Sequence, residues 1–231
     1  MVRESFQEQL SQLRNDMLQM GNLVENAIDM TAAALEYQDL EMAEKVVVED
    51  DNIDQLQLAI ENRCFSLLAL QQPMARDLRF IGTALKINTD LERMGDYARN
   101  ISKIMLKIGS EPLIKPMVDL PRMAKLTRQM VSENLTAFVQ QDRALALKAA
   151  GHDHEINKLY KNTFTELAAL ITRDTNTSTV TQSVYLMFIA RYLERIGDHA
   201  TNLSEWIIYM ITGERLELGD MSTIVINQPE A

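Results

Sequence analysis

Residues 91–101 read LERMGDYARNI, and residues 193–203 read LERIGDHATNL. At an offset of 102, Leu91, Glu92, Arg93, Gly95, Asp96, Ala98 and Asn100 return as Leu193, Glu194, Arg195, Gly197, Asp198, Ala200 and Asn202. At about 100° per residue, Ile87, Leu91, Met94, Ala98 and Ile101 gather on one side of a helix, while Glu92, Asp96 and Asn100 fall nearly opposite. The stretch is an amphipathic helix present twice, and the duplication decides the fold.

Working outward, the preceding segments also match, at an offset of 103. Ala34, Gln38, Asp39, Ala43, Lys45, Asp50 and Ile53 recur as Ala137, Gln141, Asp142, Ala146, Lys148, Asp153 and Ile156. Apolar residues step by three and four almost throughout, as in Leu10, Leu13, Met17, Met20, Val24, Ile28 and Leu35. Asp39 and Asp142 have the short carboxylate suited to an N-cap, so each is predicted to open a second helix. Gln71, Gln72 and Pro73 break the pattern, a third helix runs to about Ile108, and Gly109, Pro112, Pro116 and Pro121 interrupt the chain. The second half repeats the plan with helices over 121–140, 142–172 and 178–212, the last closed by Gly213. The expected fold is all-α: two tandem pseudo-symmetric three-helix bundles, six long helices in all. The units are residues 1–110 and 118–213, with 110–120 as linker and a tail over 214–231 that lacks helical periodicity and is assigned no function. Helices of about 30 residues make each bundle a rod of roughly 45–55 Å.

Composition narrows the classes of function. Only 8 Gly and 5 Pro are too few for a turn-rich β fold. A formal charge of −10 opposes nucleic acid as a partner, because phosphate-backbone binding needs a basic surface. The N-terminus has no apolar signal core, and the longest apolar run, Val184 to Ala190, falls far short of the roughly 20 residues of a membrane span. A cytoplasmic protein is expected, meeting a membrane only through its partners. Cys64 is the single cysteine, read as a small buried hydrophobe, which fits a reducing compartment. The 14 methionines are read as core filler.

Two like charges at i and i+4 repel by a few tenths of a kcal/mol, and a mid-helix glycine costs roughly 1 kcal/mol relative to alanine. Both halves keep both features, which points to a ligand. Carboxylate and amide oxygens are hard donors suited to Mg, Mn or Fe, and a cation turns the repulsion into attraction. Gly95 and Gly197 would admit a neighbouring helix or ligand waters. One helix offers few ligands, so the second helix is expected to contribute Asp50 and Asp54, whose repeat counterparts are Asp153 and Asn157. The candidate metal ligands are therefore Asp50, Asp54, Glu92, Asp96 and Asn100 in the first half, and Asp153, Asn157, Glu194, Asp198 and Asn202 in the second. Arg93 and Arg195 are expected to salt-bridge the acids and hold them in register. His152, His154 and His199 all lie in the second half, suggesting a second site that is weaker for hard cations and more sensitive to pH.

The doubled ERMGDYARNI and ERIGDHATNL, each ending a three-helix repeat with its upstream Asp50/Ile53 or Asp153/Ile156, resembles the PhoU family of phosphate transport regulators. The resemblance extends from about Phe6 to Gly213. It implies cytosolic homodimers with metal clusters at acidic motifs on the surface, here Asp50 with Asp54, Glu92 with Asp96, and Glu194 with Asp198, Asp153 and Asn157 being a degenerate member. It also implies a negative regulator of phosphate uptake and of the phosphate-starvation response, linking the ATPase subunit of the phosphate ABC transporter to the sensor histidine kinase.

Three other readings stand beside this one. A metal-free helical interaction adaptor needs only the solvated acidic faces. A di-metal carboxylate enzyme would carry Glu-x-x-His pairs inside its bundle; none is present, and no catalytic residue is expected. HDHEIN at 152–157 superficially resembles a phospho-accepting helix but has no Gly-rich nucleotide-binding segment with it. No helix start carries a Gly-rich anion cradle, so phosphate itself is not expected to be sensed here.

Overall fold

The structure is a computed structural model that describes residues 2–115 and 118–219, with side chains from residue 6 onward. Its elements are α1 (Val2–Tyr37), α2 (Leu40–Gln71), α3 (Ala75–Ile108), α4 (Asp119–Gln140), α5 (Arg143–Gly151), α6 (Asp153–Arg173) and α7 (Thr177–Thr212). The described residues contain no strand. The all-α plan of two three-helix bundles holds, α5 and α6 together forming the middle helix of the second.

The chemistry at the helix ends accounts for these boundaries. Asp39 Oδ1 accepts from the Met42 N–H at 3.0 Å, and Asp142 Oδ1 accepts from the Ala144 and Leu145 N–H groups at 2.8 and 3.1 Å. Each of these N-caps satisfies backbone donors that the first turn leaves free. The residue before each, Gln38 or Gln141, sits left-handed at φ 54° or 55°, so the same turn is built twice. Gly213 ends α7 at φ 80°, its N–H donating to the Tyr209 carbonyl at 2.8 Å.

The helix expected to run unbroken from Asp142 to Thr172 is instead interrupted at His152. There the His152 N–H donates to the Ala149 carbonyl at 3.2 Å, a tightened turn, and the ring lies 3.1 Å from Glu133 Oε2 on α4. Gly151, a weak helix former, precedes the break, while His152 itself keeps a near-helical φ of −71° and ψ of −21°.

One continuous apolar core runs through both halves. Met17, Met20, Met94, Met105 and Met123 are fully enclosed, as expected of filler, and Cys64 is buried with its thiol pushed up to about 12 by burial. Within it, two buried polar pins occupy matching places. Thr31 Oγ1 reaches the Ala98 carbonyl at 3.4 Å and Ser102 Oγ at 3.3 Å. Asn134 Nδ2 donates to the Ala200 carbonyl at 2.9 Å, and Asn134 Oδ1 accepts from Ser204 Oγ at 2.8 Å. These pins hold the motif helices α3 and α7 at a fixed depth against α1 and α4.

The halves join where α1 meets α4 and where α3 meets α7. At Gly21 a methyl group would lie 2.2 Å from Leu135 Cδ2, so a side chain there would force Leu135 to move from the contact of α1 with α4. Between α3 and α7, Tyr97 stacks on Tyr192 with centroids 5.6 Å apart, and His199 Nδ1 lies 2.8 Å from Asp90 Oδ1. Positions 90 and 192 are repeat equivalents, as are 97 and 199, so matching places carry an aromatic stack on one side and a polar pair on the other.

Leu218 is buried and its N–H donates to Glu205 Oε1 at 2.7 Å, giving the first part of the tail an edge contact with α7. The rest of the tail, 220–231, and linker residues 116 and 117 lie outside the described residues. Among the described residues no helix is long and apolar enough to cross a membrane.

Candidate functional site

The acidic stripes of α3 and α7 are only partly open to solvent. In each half the preceding helix lies across them at the motif glycine. A Cβ on Gly95 would stand 2.9 Å from Ile53 Cδ1 and 3.7 Å from Asp50 Oδ1. A Cβ on Gly197 would stand 3.2 Å from both Asp153 Oδ1 and Ile156 Cδ1. The glycines thus serve helix approach, and that approach brings Asp50 and Asp153 onto the stripes. Asp50 is 3% exposed and Glu194 8%, which corrects the expectation of wholly surface-facing acids. On one isolated helix these acids point away from the apolar face, and the neighbouring helix covers them.

In the first half, Asp50, Asp54, Glu92 and Asp96 form one electrostatic group. Burial raises the Asp50 carboxyl against the pull of Arg99, with Asp54 and Asp96 adding to the rise. Burial also raises Glu92, reinforced by Asp96 and opposed by Arg93. Arg99 was not singled out from sequence, yet it lies between the helices: Nη1 is 2.5 Å from Asp50 Oδ2 and Nη2 is 2.5 Å from Asp96 Oδ1. Arg93 sits more loosely, 3.5 Å from Glu92 and 3.6 Å from Asp96, in its expected bridging position. Asn100 lies one turn beyond Asp96, half-buried.

In the second half, Asp153, Glu194 and Asp198 form the group. Asn157 Nδ2 donates to Asp153 Oδ2 at 2.7 Å, the amide acting here as a donor in place of the charge that Asp54 contributes. Burial, then the charge of Asp198, pushes Asp153 up to about 6. Burial and Asp198 likewise raise Glu194, against Arg191 and Arg195. Arg191 Nη1 holds Glu194 Oε1 at 2.6 Å, and Arg195 Nη1 reaches Asp198 Oδ2 at 3.3 Å. Asn202 Nδ2 donates to Asp90 Oδ1 at 3.3 Å. Among the histidines, His152 faces Glu133, His199 faces Asp90, and His154 is exposed.

Buried polar atoms normally have partners, so those without one are informative. Asp153 Oδ1 and Glu194 Oε2 are enclosed and accept no hydrogen bond. Two carboxylate oxygens in that state, beside the further carboxylate of Asp198, have the donor chemistry of a hard-cation site. Among the described residues no three His, Cys, Asp or Glu side chains converge as ligands.

Comparison with known proteins follows the same two halves. A family model described as the PhoU domain matches residues 17–105 and again residues 120–207. The chain is 38% identical over 221 residues to the phosphate-specific transport system accessory protein PhoU homolog of Clostridium acetobutylicum, covering 95% of this chain and 100% of that one. It is 39% identical over 207 residues to the protein of the same description from Aquifex aeolicus, covering 90% and 93%. Among solved structures, PhoU from Pseudomonas aeruginosa superposes with a TM-score of 0.87 at 33% identity, covering 90% of this chain and all of that one. The phosphate transport system regulatory protein PhoU from Streptococcus pneumoniae gives 0.83 at 32% identity, covering 92% and 99%.

Proposed function

The chain belongs to the PhoU family, and from that premise we propose that it is an accessory regulatory protein of phosphate transport, a metal-binding helical adaptor rather than an enzyme. In this reading it is a cytoplasmic homodimer that connects the ATPase subunit of a phosphate ABC transporter with the sensor histidine kinase of the starvation response. It acts as a negative regulator of both uptake and response. Residues 1–110 and 118–213 are its two units, each bearing one acidic cluster.

The metal assignment rests on the unpartnered buried oxygens of Asp153 and Glu194. Asp153, Asn157, Glu194 and Asp198, with Asn202 at the end of the stripe, would hold an ion in the second half. Asp50, Asp54, Glu92, Asp96 and Asn100 are the corresponding set in the first. A bound Mg, Mn or Fe ion supplies positive charge that offsets carboxylate repulsion and stiffens two helices against each other. The chain's own residues supply the acidic docking faces that a basic surface on a partner can recognise.

Elemental analysis of protein purified without chelator tests the metal reading. Stoichiometric metal, reduced in Asp96→Ala and Asp198→Ala, supports it, and metal-free protein counts against it. A phosphate-regulated reporter in cells lacking this chain tests the role: derepression in rich phosphate, reversed by the intact chain, is expected. The metal-free adaptor is the second reading, favoured by the Arg99 guanidinium already seated between Asp50 and Asp96. It predicts the same reporter behaviour with no stoichiometric metal.

A further inference from the structure

The two clusters are alike in their acids and differ in what sits among them. In the first, Arg99 bridges Asp50 and Asp96 across the helix pair, at 2.5 Å to each. The residue 102 positions later is Thr201, so the second cluster has no counterpart to that guanidinium. Arg191 and Arg195 do not replace it, since the former holds one oxygen of Glu194 and the latter reaches only Asp198. Among the described residues Asp153 has no ion pair. What remains is a set of enclosed oxygens without partners: Asp153 Oδ1, Glu194 Oε2 and Thr201 Oγ1. Glu194 is 8% exposed and Thr201 5%. In the first cluster no carboxylate oxygen is left in this state.

We infer that Arg99 is a resident counter-ion that stands in for metal in the first cluster, so that this chain takes a hard divalent cation in the second cluster first and more tightly. The inference rests on the reading of the acidic clusters as metal sites and assigns them unequal roles. An ion entering the first cluster must displace a guanidinium that makes two charge-assisted hydrogen bonds. In the second cluster it meets oxygens that folding has already stripped of water and left without partners. The order is the reverse of the one suggested by the histidines, two of which are engaged by Glu133 and Asp90.

The test is titration of the full chain with Mn²⁺, read by calorimetry and by the loss of free-ion paramagnetic signal. Wild type should show one tight class of sites, lost in Asp153→Asn and kept in Asp50→Asn. Arg99→Thr should gain a second class, roughly tenfold or more tighter than the first cluster of wild type, the weight of one charge-assisted hydrogen bond. Thr201→Arg should lose the tight class and, with metal absent, melt higher than wild type because the missing counter-ion has been supplied. Far-UV circular dichroism verifies that each variant is folded. If the tight class in wild type depends on Asp50 rather than Asp153, or if Arg99→Thr binds no more tightly than wild type, the assignment to Arg99 is wrong while the metal reading stands. If neither wild type nor Arg99→Thr takes up Mn²⁺, the metal reading falls and this inference falls with it.

Discussion

Replacing Asp153 with asparagine is expected to stabilise the metal-free protein, and only above the pH at which the carboxyl would ionise. Burial and the charge of Asp198 push Asp153 up to about 6 from an ordinary 3.8. At about 1.4 kcal/mol per pKa unit this is roughly 3 kcal/mol, and screening at a partly exposed carboxyl lowers it to about 1–2 kcal/mol. The folded-state pKa lies above the unfolded one, so the favourable contribution of the protonated group is complete below about pH 4 and is lost as pH rises through about 6. Asparagine keeps a carbonyl for the Asn157 amide, now 2.7 Å from Asp153 Oδ2, and has no proton to lose. Urea unfolding of chelator-treated protein, followed by helical circular dichroism, should show parent and Asp153→Asn alike near pH 4 and the variant more stable by about 1–2 kcal/mol near pH 7.5. A variant less stable than the parent at neutral pH, or a difference independent of pH, would refute the reasoning.

Three further outcomes can be measured on the same protein. Gly82 lies within α3 with open space where a Cβ would go, so Gly82→Ala should stabilise by about 1 kcal/mol and raise the melting temperature by roughly 2–4 °C. Asn134→Ala removes the polar pin between α4 and α7, taking one donor from the Ala200 carbonyl and the 2.8 Å acceptor from the buried Ser204 hydroxyl, so the urea midpoint should fall by the equivalent of about 1–3 kcal/mol. Cys64 is buried with its thiol at about 12, so a disulfide reagent should modify native protein on the order of a hundredfold more slowly than protein in urea.

Much of the fold is legible from residue types because its signals are local. Asp39 and Asp142 cap the helices they were expected to open, Gly213 ends α7, and the 102-residue echo fixes two motif helices in equivalent places. The meeting of Asp50 with Asp96 was also readable, since a second acidic helix in each repeat needed somewhere to face. The interruption at His152 was not, because Gly151 alone is a weak signal and the ring's partner, Glu133, lies on another helix. Arg99 carries no repeat signal, because its counterpart in the second copy is Thr201. The place where the two copies disagree, arginine against threonine, carries the information about charge. Thr31 and Asn134 left a similar trace, polar residues 103 apart inside apolar runs, and both prove to be buried at matching pins.

The seam between α3 and α7 constrains how such a chain can be taken apart. Two copies of the first half brought together along that seam would set Tyr97 against Asp90 twice, since self-complementary pairing repeats each contact under a dyad. Neither the ring stack with Tyr192 nor the imidazole contact of His199 would form. Divergence at these four positions therefore makes the two sides of the seam unlike, and each side complements the other through contacts it cannot make with its own copy. A lone first repeat therefore cannot rebuild these two contacts by self-association.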